Sequence, residues 1–287
     1  MKFRKLAAIV ASAALVGCMA FAGGCSSSDD SSSDETSTEE TTTEETSSEE
    51  TTYSSEGLEL LEDGVLTIAT SPDFPPFENL EDGEYVGMEI EMMEEVASRL
   101  GLEAEFTTIQ FDGIIPAIVA GGQADCAVSG ITINPEREEE VDFTISYYTD
   151  DLSVIVMQDS DFTEDNIDDT LNAEGMTIAV QTGTTAETYA QEYFPNATVT
   201  GYGSANDTFA ALASGQADSV ITNMAVGESM VNGSYTDAWI VENIATGEEY
   251  GVAVSKDNPE LTEQLNAVLQ EMLDDGTIDA LIEEYMS

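Results

Sequence analysis

Glu89-Ile-Glu-Met-Met-Glu-Glu-Val-Ala-Ser-Arg-Leu-Gly101, with Glu103-Ala-Glu-Phe-Thr107 close behind it, decides the fold. Apolar side chains at Ile90, Met93, Val96, Ala97 and Leu100 recur at the spacing that gathers them on one face of a helix, and Gly101 is placed to end it. The run that follows reads as a strand, and Val65 to Thr70 ahead of it reads as another. The order continues with a helix over Ile114 to Ala120 and a strand over Cys126 to Ser129. Strand and helix alternating in this way imply a parallel sheet covered by helices on both faces. The same rhythm restarts later: strand Thr177 to Val180, helix Ala186 to Tyr193, strand Thr198 to Tyr202, helix Thr208 to Ser214, strand Ser219 to Ile221. The expected class is therefore α/β, with two Rossmann-like lobes. Leu152 to Met157 and Tyr250 to Val254 carry no strong helical period and are expected as two crossover strands. On that reading lobe 1 comprises residues 57–151 and 250–287 and lobe 2 residues 152–249. The strand ends of two open sheets then face each other across a cleft, where ligands of such folds bind.

Charge narrows the function. The sequence holds six Lys and Arg against 59 Asp and Glu, and three of the six, Lys2, Arg4 and Lys5, stand at the very start. Beyond residue 25 only Arg99, Arg137 and Lys256 are cationic, so the field repels phosphate backbones, and no nucleic-acid partner is expected. There is no histidine, which excludes Ser/His and Cys/His nucleophile pairs and the commonest zinc ligand. No catalytic residue, cofactor or metal is expected. Arg137 is a candidate for gripping an anion, because a planar guanidinium fits a carboxylate bidentately.

Residues 1–25 read as a lipoprotein signal peptide: a cationic start, an apolar run from Leu6 to Val16, then small residues before cysteine. Leu15-Val-Gly-Cys18 and Ala22-Gly-Gly-Cys25 both have the form of a cleavage box; Cys25 is preferred for lipidation, since a Ser-rich tether follows at once, with Cys18 the alternative. Residues 26–56 are almost wholly Ser, Thr, Asp and Glu and cannot bury enough apolar surface to order themselves, so a disordered acidic tether is expected. Cys126 has no evident partner and is expected as a small buried hydrophobe.

Several strings occur in a telling order: Ile68-Ala-Thr-Ser-Pro-Asp-Phe-Pro-Pro-Phe77, Gly87-Met-Glu-Ile-Glu91, Phe111-Asp-Gly-Ile-Ile-Pro-Ala117, Gly122-Gln-Ala-Asp125, Gly130-Ile-Thr-Ile-Asn-Pro-Glu-Arg137 with Val141-Asp-Phe143, and Gln181-Thr-Gly-Thr-Thr185. In these the chain resembles the extracellular solute-binding proteins of polar amino-acid ABC transporters, solute-binding family 3, with a type II periplasmic-binding-protein fold. The resemblance implies that Arg137, Thr132 and backbone N–H groups at Thr184 and Thr185 hold an amino acid's α-carboxylate. Thr184 reads independently as a helix N-cap, which is compatible because the cap uses its side chain. The resemblance further implies that Phe74 and Phe111 sandwich the ligand's side chain, with Ser129, Gly130 and Gln181 also at the ligand.

Two positions depart from the family. Its ammonium-binding aspartate falls on Asn223 in Asp218-Ser-Val-Ile-Thr-Asn223, and an amide supplies no charge. Either the Ser129 carbonyl and another acid take the ammonium, or the ligand lacks one. Ser71 stands where some relatives have an acid; Asp73 and Glu78 nearby are expected to face solvent. With Arg137 committed to the carboxylate, a neutral or cationic amino acid is favoured over aspartate or glutamate.

The expected protein is a substrate-binding lipoprotein, not an enzyme, on the cell surface and anchored to the outer face of the cytoplasmic membrane. Its expected partners are a small amino acid and an ABC permease, and it is expected as a monomer. The alternatives are a same-fold lyase resembling cyclohexadienyl dehydratase, or a binding protein for a non-amino-acid carboxylate. A calcium-binding role for Asp161 to Asp169 is disfavoured, since the stretch lacks the spacing of an EF-hand loop.

Overall fold

The computed structural model describes residues 54–286 of the 287. The expected leader, both of its cysteines and the tether as far as residue 53 lie outside the described residues.

Two five-stranded sheets form the frame. In the first, the order is Glu103–Thr108, Val65–Thr70, Cys126–Ala127, Ala253–Val254, Asp142–Phe143. In the second it is Thr198–Tyr202, Thr177–Gln181, Ser219–Asn223, Tyr148–Met157, Ala238–Tyr250. The first three strands of each are parallel, as expected, but the fourth runs the opposite way. Ala253–Val254 runs antiparallel to both of its neighbours, and Tyr148–Met157 runs antiparallel to both of its own. Each sheet is thus mixed rather than parallel, because each lobe receives a strand arriving from the other. A three-stranded meander, Asp73–Phe74, Glu78–Glu81 and Glu84–Val86, flanks the first lobe.

Helices cover both faces of each sheet, so central strands such as Ser219–Asn223 are buried along their whole length. In the first lobe, Met88–Leu100 places Met92, Met93, Val96 and Leu100 in one core with Leu265, Val268 and Met272 of Pro259–Asp274. Ile114 and Ile118 of Phe111–Ala120 pack the opposite face with Ala69, Ala127 and Val141. In the second lobe, Ala186 and Ala190 of Thr185–Tyr193 cover Ile178, Val180 and Ile221. Cys126 is free and fully buried, and burial pushes its thiol pKa upward.

The connections between lobes are two paired strands. Tyr148, Thr149 and Asp150 stand opposite Tyr250, Glu249 and Glu248. Leu152–Met157, expected as the crossover itself, lies inside the second sheet, so the passage sits a few residues earlier. The expected boundaries at 151/152 and 249/250 fall within strands. The ribbon is anchored by a fully buried Tyr250, whose ring meets Phe77 edge-on with centroids 5.3 Å apart and whose hydroxyl donates to Asp150 at 3.2 Å.

Candidate functional site

Arg137 owes its position to a capped single turn. The Asn134 side chain accepts the Arg137 backbone N–H at 2.9 Å, and Pro135 opens the helix Pro135–Glu138 at a position where its missing N–H costs nothing. The guanidinium then reaches the seam between lobes. Nη1 donates to the Thr132 carbonyl at 2.8 Å, Nη2 donates across the seam to the Gly183 carbonyl at 3.1 Å, and the group lies over the Phe111 ring, 5.3 Å from its centroid. These bonds go to carbonyls, not to Glu136 or Glu140. Burial pulls the Arg137 pKa below its ordinary value, opposed first by the nearby charge of Glu248.

The second lobe meets Arg137 with the start of helix Thr185–Tyr193. Thr184 Oγ1 accepts the Glu187 N–H at 3.2 Å, capping the helix, and donates to the Gln181 carbonyl at 2.7 Å. The expected cap is therefore present. A groove of about 410 Å³ lies between Phe111, Asn134 and Arg137 on one side and Gly183, Thr184 and Thr185 on the other.

Behind this seam the Ser129–Gly130 turn is held by two buried acids. Ser129 Oγ donates to Glu78 at 2.7 Å and accepts the Ser71 N–H at 3.2 Å; the Gly130 N–H donates to both Glu89 oxygens at 3.0 and 3.1 Å. Tyr147 donates its hydroxyl to Glu89 as well. Glu78 and Glu89 are fully buried, and burial raises both pKa values, that of Glu78 further because of Glu89. The expectation that Glu78 faces solvent is thus overturned: its neighbours in the meander turn it inward onto Ser129.

Asp73 is likewise not a solvent-facing acid. It accepts the Ser71 hydroxyl at 3.0 Å and, from the second lobe, the Ala205 N–H at 2.8 Å and the Gln181 amide at 3.5 Å. Phe74 stacks on Phe77 with centroids 6.0 Å apart, and its ring stands 2.8 Å from where a Cβ on Gly130 would lie.

The remaining expected residues converge on a group that the sequence reading did not single out. Glu248 Oε2 accepts from Thr132 Oγ1, Thr185 Oγ1 and Asn223 Nδ2, each at 3.0 Å. Thr132 and Thr185, anticipated as ligand contacts, thus point their hydroxyls at a protein carboxylate. Nothing local marks Glu248 among 59 acids. The one usable signal was the Gly247 beside it, which takes a left-handed φ of 61° where the strand breaks register.

Comparison with known proteins agrees with this architecture. Residues 66–287 match the family described as bacterial extracellular solute-binding proteins, family 3. The chain is 28% identical over 239 residues to the ABC transporter arginine-binding protein 1 of Escherichia coli (strain K12), covering 82% of this chain and 93% of that protein. Among solved structures, the ancestral amino acid-binding protein AncCDT-1, a precursor of cyclohexadienyl dehydratase, is 34% identical with a TM-score of 0.72, covering 78% of this chain and 96% of its own. An ancestral arginine-binding protein bound to arginine is 33% identical with a TM-score of 0.70, over 78% and 99% of the two chains. The named relatives are binding proteins rather than enzymes, and with two α/β lobes, an arginine at their seam and a family match over nearly all the described residues, the chain belongs to the bacterial extracellular solute-binding proteins of family 3.

Proposed function

We propose that the protein captures a small amino acid with a neutral or cationic side chain by closing its lobes around it, and presents the closed complex to the permease of an ABC importer. The observation that carries this reading is the Arg137 guanidinium, half-buried at the seam and bonded to carbonyls from both lobes. A desolvated cation of this kind favours an anionic partner, and a ligand carboxylate reaching it would also meet the N–H groups that open helix Thr185–Tyr193. Closure would then be favoured by ligand, because both lobes contribute to one carboxylate. The surplus of acids around the cleft disfavours a second negative charge on the ligand. The arginine bound by two of the relatives is consistent with a cationic side chain.

Delivery to a permease, anchoring through Cys25 (or Cys18) and residence at the outer face of the cytoplasmic membrane belong to the same proposal and rest on family membership and the leader's sequence. The test is a thermal-shift panel of all amino acids, small peptides and amines, followed by calorimetry on the hits. Glutamine or a basic amino acid should raise the melting temperature. Tighter binding of glutamate than of glutamine would overturn the ligand class, and no response to any amino acid would overturn the function.

A further inference from the structure

We propose that Glu248 is the acceptor for the ammonium group of the bound amino acid, and so the residue that selects zwitterions over plain carboxylic acids. The inference rests on the amino-acid reading above. An ammonium taken into a cleft needs an anion to compensate its lost hydration, since neutral acceptors alone leave it costly to bury. Thr132, Thr185, Gln181 and Asn223 are all neutral.

Four other acids near the seam are engaged elsewhere. Glu78 and Glu89 hold the Ser129–Gly130 turn; Asp73 holds Ser71 and the start of helix Ala205–Ala213; Asp150 accepts from Ala225 N–H at 3.4 Å and from the Tyr250 hydroxyl. Glu248 alone of these points its carboxylate at the convergence of expected site residues from both lobes, with three donors on Oε2 and none of those bonds on Oε1.

The backbone is shaped to aim it. Ile244 pairs with Leu152 and Glu248 with Asp150, so four residues on one strand advance against two on the other. Such bulges re-aim a side chain and recur beside functional sites. Here the excess is absorbed at Gly247, whose left-handed backbone is pinned by its N–H to the Asp151 carboxylate at 2.9 Å. The three donors then fix the Glu248 carboxylate, Asn223 acting as a positioning residue. The ligand's carboxylate is left to Arg137 and the helix start.

The experiment is calorimetry of wild type, Glu248→Gln and Asn223→Asp/Glu248→Gln with the amino acid that the panel returns and its desamino acid, for example L-glutamine and glutaramic acid. Glu248→Gln should weaken the amino acid by about 30-fold or more and the desamino acid by less than about 3-fold. Moving the charge to position 223 should recover most of the loss, which a merely structural role for Glu248 would not allow. Equal loss for both compounds, no loss, or a gain for both overturns the inference; a gain would mean that Glu248 competes with the ligand for Thr132 and Thr185. A wild-type protein that binds no amino acid of the panel overturns the underlying reading and this inference with it. Binding by wild type that persists unchanged in Glu248→Gln overturns the inference alone.

Discussion

Asp73 in the first lobe accepts the backbone N–H of Ala205, the first residue of helix Ala205–Ala213 in the second, at 2.8 Å. A carboxylate set against the positive end of a helix is favourable, and this one joins the two lobes. Its pKa is raised, chiefly by burial, while the bonds to Ser71, Ala205 and Gln181 oppose that rise.

Asp73→Ala should therefore favour the open form without unfolding either lobe. The loss of one charge-assisted bond, about 1–1.5 kcal/mol, corresponds to an affinity reduced about 5- to 12-fold. Calorimetry with small-angle scattering of the liganded protein would check it: unchanged affinity and unchanged dimensions would show that the contact contributes nothing to closure.

Arg137→Ala should remove most binding of carboxylate ligands, by about 30-fold or more, with little change in melting temperature of the ligand-free protein. Arg137→Lys should not restore it, because a compact ammonium lacks the planar fork that reaches the Thr132 and Gly183 carbonyls and grips a carboxylate bidentately. Retained affinity in either variant would place the carboxylate elsewhere.

Gly130→Ala meets two obstacles at once. The backbone there has φ of 53°, and the added methyl would lie 2.8 Å from the Phe74 ring. Destabilisation of about 1–3 kcal/mol is expected in urea unfolding, together with weakened ligand binding. Wild-type stability in this variant would mean that Phe74 moves freely.

Asp150 gives a pH signature. Burial raises its pKa from 3.8 to about 6, so the folded state holds that proton more tightly than the unfolded chain. The stability this confers is complete below 3.8 and disappears as pH rises through about 6. Against Asp150→Asn, which stays neutral, wild type should lose on the order of 2–3 kcal/mol between about pH 4 and pH 7. Parallel stability curves for the two proteins would refute the shift.

Salt should stabilise the fold. With 59 acids against six basic residues, repulsion among surface carboxylates is screened as ionic strength rises, so the melting temperature should climb between about 0.01 M and 0.15 M salt. A flat response would show that the charges lie too far apart to matter.

Local pattern carried the reading of the fold only where local forces decide it. Val65–Thr70 and Thr198–Tyr202 have the bounds that their β-rich composition predicts, and Met88–Leu100 ends at Gly101 as its apolar spacing requires. Ala205–Ala213 begins three residues before the expected Thr208, although Ser204, which accepts the Asp207 N–H at 3.1 Å, was a cap in plain view. Ala253–Val254 joins the first sheet through partners more than a hundred residues away, which no local period records. The same holds at the site. The chemistry of Arg137 could be inferred from its rarity, whereas Glu248 is defined by donors 25, 63 and 116 residues distant.

Because the two passages between lobes are hydrogen-bonded to each other from Tyr148↔Tyr250 to Asp150↔Glu248, they bend as one ribbon. Two separated tethers would leave the halves free to slide and swivel independently; a ribbon confines them to rotation about roughly one line. The proposed closure would then be described by a single angle. A dye pair at exposed Val119 and Tyr193, one on each half, would turn that angle into one distance, making the molecule a ready-made optical gauge for whatever it grasps.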